Sequence, residues 1–224
     1  MTDERPEEDA VAQVTASWER IERWLCAHAP ASADLLRPAA SDAEIDAVEE
    51  AIGLAFPPSL RVWYRFHDGI NVPEPGESWL PAGFLPGVQS WYPLDSVQDA
   101  YLVHTRDWER EPGRIPISCV TGDIWHGLYV DARADTSLCG TVGQWIVDHE
   151  PGPIPAGSVT GWPLGAWLAA CAEAVEQGHC LVEPGGRRDE TQWPVLTVCA
   201  GLTWVNPLDE RHFPEGGTLL RGAR

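Results

Sequence analysis

The fold is decided by residues 41–69, SDAEIDAVEEAIGLAFPPSLRVWYRFHDG, where two helices and the turns that end them can be read residue by residue. Ser41 followed three positions later by Glu44 is a capping box: the hydroxyl accepts from a first-turn amide, and the glutamate reaches back to the serine amide. Ile45, Val48 and Ile52 recur at helical spacing, and Gly53 suits the left-handed residue that closes a helix. Pro57 and Pro58 fit the opening turn of another helix, where a missing N–H costs nothing. Leu60, Trp63, Tyr64 and Phe66 give that helix a face for the core, and it is expected to end near Asp68 and Gly69.

Upstream, residues 1–9 read as a solvated acidic tail. Val11, Val14, Trp18, Ile21 and Leu25 then mark one face of an amphipathic helix that stops at Pro30. Downstream, Gly and Pro punctuation from 69 to 93 signals turns and short edge strands. A short helix is expected over 94–103, and strands over 115–120, 124–131 and 141–148; their short connections favour antiparallel pairing. Leu164, Trp167, Leu168, Cys171 and Val175 place a helix over 162–175 with Gly178 as its stop. The last strand candidates are 194–200 and 202–206. With no repeat or long linker, the chain reads as one α+β domain over 10–178, with a C-terminal extension, 179–224, packed on it.

Of the 224 residues, 34 are acidic and 15 basic, a formal charge of −19, and every basic residue is Arg. The excess is not local: residues 1–110 carry 20 acids and 8 Arg, the remainder 14 and 7. No basic patch is hidden by the average, so binding to a phosphate backbone is disfavoured. Without Lys, Schiff-base chemistry and a P-loop are excluded. Gly157-Ser158-Val159-Thr160-Gly161 lacks the spacing of a nucleophile elbow. No apolar run is long enough to span a membrane, and the acidic N-terminus does not read as a signal peptide, so a cytoplasmic location is expected. The six cysteines form no C-x-x-C pair and read as small buried residues.

Three groupings could carry chemistry. His67-Asp68 could be an oriented base, but a helix C-terminal cap is the better reading of adjacent residues. Asp131 and Asp135 read as a solvated strand-end turn rather than a cation site. Cys171, His179 and Cys180 are too few and too local for a zinc site. No metal and no cofactor is expected.

Twelve Trp against four Phe and four Tyr demand either burial or a partner. Trp18, Trp63 and Trp167 fit apolar helix stripes. Trp79, Trp91, Trp108 and Trp125 fall in or beside turns, where an exposed indole anchors a protein partner or simply joins the core. Because turn-rich segments carry binding, the expected contact residues are Glu74, Glu77, Trp79, Asp123 and Trp125.

Taken whole, Ser41-Asp42-Ala43-Glu44-Ile45, Glu49 or Glu50, Gly53-Leu54, Phe56-Pro57-Pro58-Ser59-Leu60, Tyr64 and Phe66-His67-Asp68-Gly69 resemble the SMI1/KNR4 (SUKH) superfamily, in a bacterial member, with Phe56 replacing the usual Leu. The similarity extends upstream to Trp18–Leu25 and downstream through Ile115-Pro116-Ile117, Gly127-Leu128-Tyr129-Val130-Asp131 and Gly143-Gln144-Trp145-Ile146-Val147, covering about residues 17–176. The resemblance implies an α+β fold, an antiparallel or mixed sheet flanked by helices, and no catalysis. Bacterial relatives are viewed as immunity proteins that neutralise toxins of polymorphic toxin systems, and fungal relatives act through protein interaction. The expectation is a non-enzymatic protein-binding module, an immunity protein whose partner is a protein such as a basic toxin domain. A stand-alone regulatory scaffold is the alternative. An enzyme or small-molecule binder built on His67, Asp68, Asp131 or Cys171 and His179 would need a deep pocket with convergent polar groups.

Overall fold

The capping box forms as the sequence dictates: Glu44 N donates to Ser41 Oγ at 3.3 Å and Ser41 N to Glu44 Oε2 at 2.7 Å. A computed structural model describes residues 5–71, 78–120, 125–154, 161–183, 185–209 and 213–221, without the side chains of residues 5 and 6. Its helices are α1 (Arg5–His28), α2 (Pro30–Ala33), α3 (Asp42–Ile52), α4 (Pro58–Tyr64), α5 (Leu94–Leu102) and α6 (Leu164–Gln177). The strands are β1 (Gln89–Trp91), β2 (Arg114–Pro116), β3 (Ser118–Val120), β4 (His126–Asp131), β5 (Thr141–Ile146), β6 (His149–Pro153), β7 (Trp162–Pro163), β8 (Leu181–Val182), β9 (Arg188–Asp189), β10 (Trp193–Leu196), β11 (Leu202–Val205) and β12 (Thr218–Leu219). This is a mixed α+β chain.

Of the two candidate glutamates, Glu49 ties α3 to α4: its carboxylate accepts from Phe56 N at 2.7 Å and pairs with Arg61 at 2.6 Å. The α4 helix ends at Tyr64, before the Asp68-Gly69 expected to close it. Asp68 instead accepts from Leu94 N at 2.8 Å and pairs with Arg37 at 2.8 Å, so the carboxylate sits at the positive N-terminal end of α5. That replaces the expected C-terminal cap. Gly69 has φ +64°, and a Cβ there would meet the Tyr92 carbonyl at 2.4 Å, which is why glycine ends this motif. The tail also needs correction: α1 already includes Arg5, with Glu7 and Glu8 in its first turn, where acids favour helix.

The main sheet runs β2-β4-β5-β6 with β7 also on β5, every pairing antiparallel. The β1–β3 pair joins it through Ile117 N, which donates to Leu128 O at 2.9 Å. Register fixes the faces, because opposite residues point the same way. His126 and Ile146, Leu128 and Gln144, and Val130 and Val142 share one face. Gly127 and Trp145, and Tyr129 and Gly143, share the other. There each aromatic ring lies over the opposing glycine: a Cβ on Gly127 would fall 2.6 Å from the Trp145 ring, and one on Gly143 2.0 Å from Tyr129.

On the first face α6 packs on β5, and Val130 and Val142 join a core that α1, α4 and α6 build on tryptophan. Trp63 and Trp91 stack at 4.1 Å, and Trp18 meets them edge-on at 5.6 and 5.0 Å. Trp91 is therefore core, not an anchor; β1 carries it inward from a segment that reads as turns. The C-terminal segment shares this core through Leu181, Leu202 and Trp204, whose indole donates to Phe84 O at 2.7 Å.

Candidate functional site

Among the described residues the helical layer leaves part of its sheet face bare. Val142 on β5 is fully buried, yet Gln144 and Ile146, two and four residues on, are exposed although β5 lies between β4 and β6. Interior strands are ordinarily covered on the core side, and here the β8–β9 hairpin stands opposite the uncovered part. Between them lies an open-sided groove of about 800 Å³. Its sheet wall carries His126, Gln144, Ile146, His149 and Glu150; its hairpin wall carries Glu183, Arg187 and Asp189; Leu128, Trp167 and Leu181 are at its base.

Both walls are held from behind. Glu183 N donates to Arg187 O at 2.7 Å, and their side chains pair, Arg187 Nε to Glu183 Oε2 at 2.7 Å. Asp189 accepts from Thr191 N at 3.0 Å and Thr191 Oγ1 at 2.6 Å. Gly87 N donates to Gln192 Oε1 at 2.6 Å, tying the turn at 86–89 to the hairpin wall. Val88 in that turn has φ +59°, a costly conformation for a β-branched residue.

On the reverse of the sheet Arg110 clamps the β5–β6 turn, donating to the carbonyls of His149 at 2.8 Å, Ile146 at 2.5 Å and Val147 at 2.7 Å. Its guanidinium lies 5.5 Å from the Trp108 ring centre, and burial lowers its pKa. Trp108 stacks on His104 at 4.5 Å, and His104 meets Trp145 edge-on at 4.7 Å. Trp108 is thus a packing residue, not an exposed anchor.

Of the expected contact residues, Trp79 is 40% and Trp125 60% exposed. Trp79 precedes the turn Leu80–Ala82, which packs against β11. Trp125 stands one residue before His126, and its carbonyl accepts from Val147 N at 2.8 Å, which places it at the end of the β4–β5 pair; it does not line the groove. Glu74, Glu77 and Asp123 lie outside the described residues. Gln144, Ile146, His149, Glu150 and the β8–β9 hairpin were not foreseen: 141–148 reads as a strand without showing which end its helices leave bare, and Pro151 and Pro153 disguise β6.

The rival groupings are structural. His67 Nδ1 lies 2.6 Å from Arg37 O and Nε2 3.2 Å from Glu22, so it does not face Asp68. Asp131, expected as solvated, is fully buried and pairs with Arg133 at 2.5 Å, while Asp135 is exposed. Cys171 is buried, which raises its pKa, and His179 Nδ1 lies 2.7 Å from the Cys180 carbonyl. Among the described residues no group of three His, Cys, Asp or Glu could hold a metal ion, and no helix is long and apolar enough to cross a membrane. Burial raises the pKa of Tyr64, Tyr92 and Cys171 and lowers that of His104, all of them packed side chains.

Fold and groove together define an α+β domain with a tryptophan-packed helical layer on an antiparallel sheet. The chain belongs to the SMI1 / KNR4 family (SUKH-1), which it matches over residues 39–155, just over half its length. That match takes in the α3–α4 motif and strands β1 to β6; α6 and the hairpin wall of the groove lie beyond it. No curated protein matches the chain.

Proposed function

We propose that the chain is a non-enzymatic protein-binding module, an immunity protein that binds and neutralises a toxin of a polymorphic toxin system. Family membership over residues 39–155 carries this reading. Its support is the charge of −19, which steers the chain toward basic partners, and Trp79 and Trp125 standing exposed as anchors. Glu74 and Glu77 beside Trp79, and Asp123 beside Trp125, supply the acidic surroundings of those anchors in the sequence. Exposed indoles on a strongly acidic chain suit a basic partner whose active site the chain would mask.

The test is affinity purification of the tagged chain from the cell that encodes it, with the proteins of adjacent genes compared against those recovered. A toxin domain held in equal amount supports the reading. Recovery of a non-toxic protein moves the chain to the regulatory alternative, and recovery of no protein contradicts both.

A further inference from the structure

We propose that the groove between the sheet and the β8–β9 hairpin seats an extended, basic segment of a protein partner; this rests on the protein-binding reading above. The first argument is shape. Strands form both walls, and an interior strand leaves Gln144 and Ile146 exposed, Ile146 by 38%, where a covering element would ordinarily lie. An extended chain can lay an apolar side chain on Ile146 and use the Gln144 amide. The second argument is charge. Three acids, Glu150, Glu183 and Asp189, line the groove against one arginine, Arg187, which pairs with Glu183, while Arg110 acts on Glu150 from the reverse of the sheet. The acids outnumber the arginine, and an excess of one sign of charge in a cleft biases its field toward the opposite sign. The third argument removes the competing occupants. A second copy of this chain would bring another −19, and a polyanion would meet the same repulsion. The hairpin wall lies beyond the residues that match the family.

The test uses the full chain and two immobilised pools of random peptides of about nine residues, one with a central arginine, the other with a central glutamate. The arginine pool is expected to retain the chain at least about tenfold more strongly, with the preference shrinking as salt rises. Gln144→Arg sets a cation on the sheet wall and should abolish that preference; Glu150→Gln should weaken it a few-fold. Both side chains are exposed, so an unchanged urea midpoint confirms that each variant folds. Leu208→Ala, at an exposed side chain that does not line the groove, should retain the preference. Equal retention on both pools, or a Gln144→Arg variant that behaves as the parent, overturns the proposal. If Gln144→Arg still holds a protein recovered from the cell, protein binding stands and the groove assignment falls. If the arginine preference depends on Gln144 and no protein is recovered, the groove assignment stands and the immunity reading falls.

Discussion

Lowering the pH should unlatch the reverse of the sheet through one side chain, His104. It is 6% exposed, between Trp108 and Trp145, and burial with some repulsion from Arg110 lowers its pKa to about 4. The folded state therefore favours the neutral ring, whereas the unfolded chain takes up a proton near pH ~6.5. The stability so gained is fully present above about pH 6.5 and is lost as pH falls through about 4. Over that window the loss approaches ~3 kcal/mol, and ~2 kcal/mol of it is gone by about pH 4.5. Protonation would also part the stack that backs Arg110, and with it the clamp on the β5–β6 turn. His104→Phe keeps a ring in the stack but cannot be protonated. Urea unfolding followed by tryptophan fluorescence, at about pH 7, 5.5 and 4.5, compares the two proteins. The parent should lose ~2 kcal/mol more than His104→Phe across that range, since carboxylate titration is common to both and cancels. Parallel pH dependences would refute the argument.

Trp91→Ala removes the ring stacked on Trp63 and should cost ~3–5 kcal/mol in the urea midpoint. Asp131→Asn leaves Arg133 facing an uncharged buried partner; because Arg133 keeps some water, about 2–4 kcal/mol is expected by the same measurement. Gly127→Ala drives a methyl into Trp145 and the Ser118 carbonyl, so the variant should lose at least ~1–3 kcal/mol, read as a lowered Tm. The double change Trp79→Ala with Trp125→Ala should leave the Tm within a degree or two, because both indoles are exposed, while weakening partner binding; a large drop in Tm would assign them to the core.

Elements with both ends marked were legible in the sequence. Ser41, Glu44 and Gly53 bracket α3 because caps and left-handed stops depend on single residues and their immediate neighbours. The same holds for α6, which Gly178 closes. What failed was anything decided by distant partners. Asp68 reads as the end of its own helix, but the amide it satisfies is on Leu94. Asp131 reads as a turn acid, but the fold buries it with Arg133. Trp91 sits among turn residues, and only the stacking of β1 beneath α4 makes it core. The groove was illegible for the same reason: Gln144 and Ile146 alternate as any strand does, and their exposure follows from where α6 and the hairpin stop. The exposure of Trp125 was legible because exposure at a turn is a local property.

The central claim is that this chain acts by binding a protein and silencing it. The most direct measurement is the activity of the protein that co-purifies with the chain, followed as purified chain is added back in rising amounts. The account predicts that activity falls to the background at equimolar chain and recovers when the Trp79→Ala, Trp125→Ala chain is used instead. A co-purifying protein whose activity is unchanged by excess chain would contradict it.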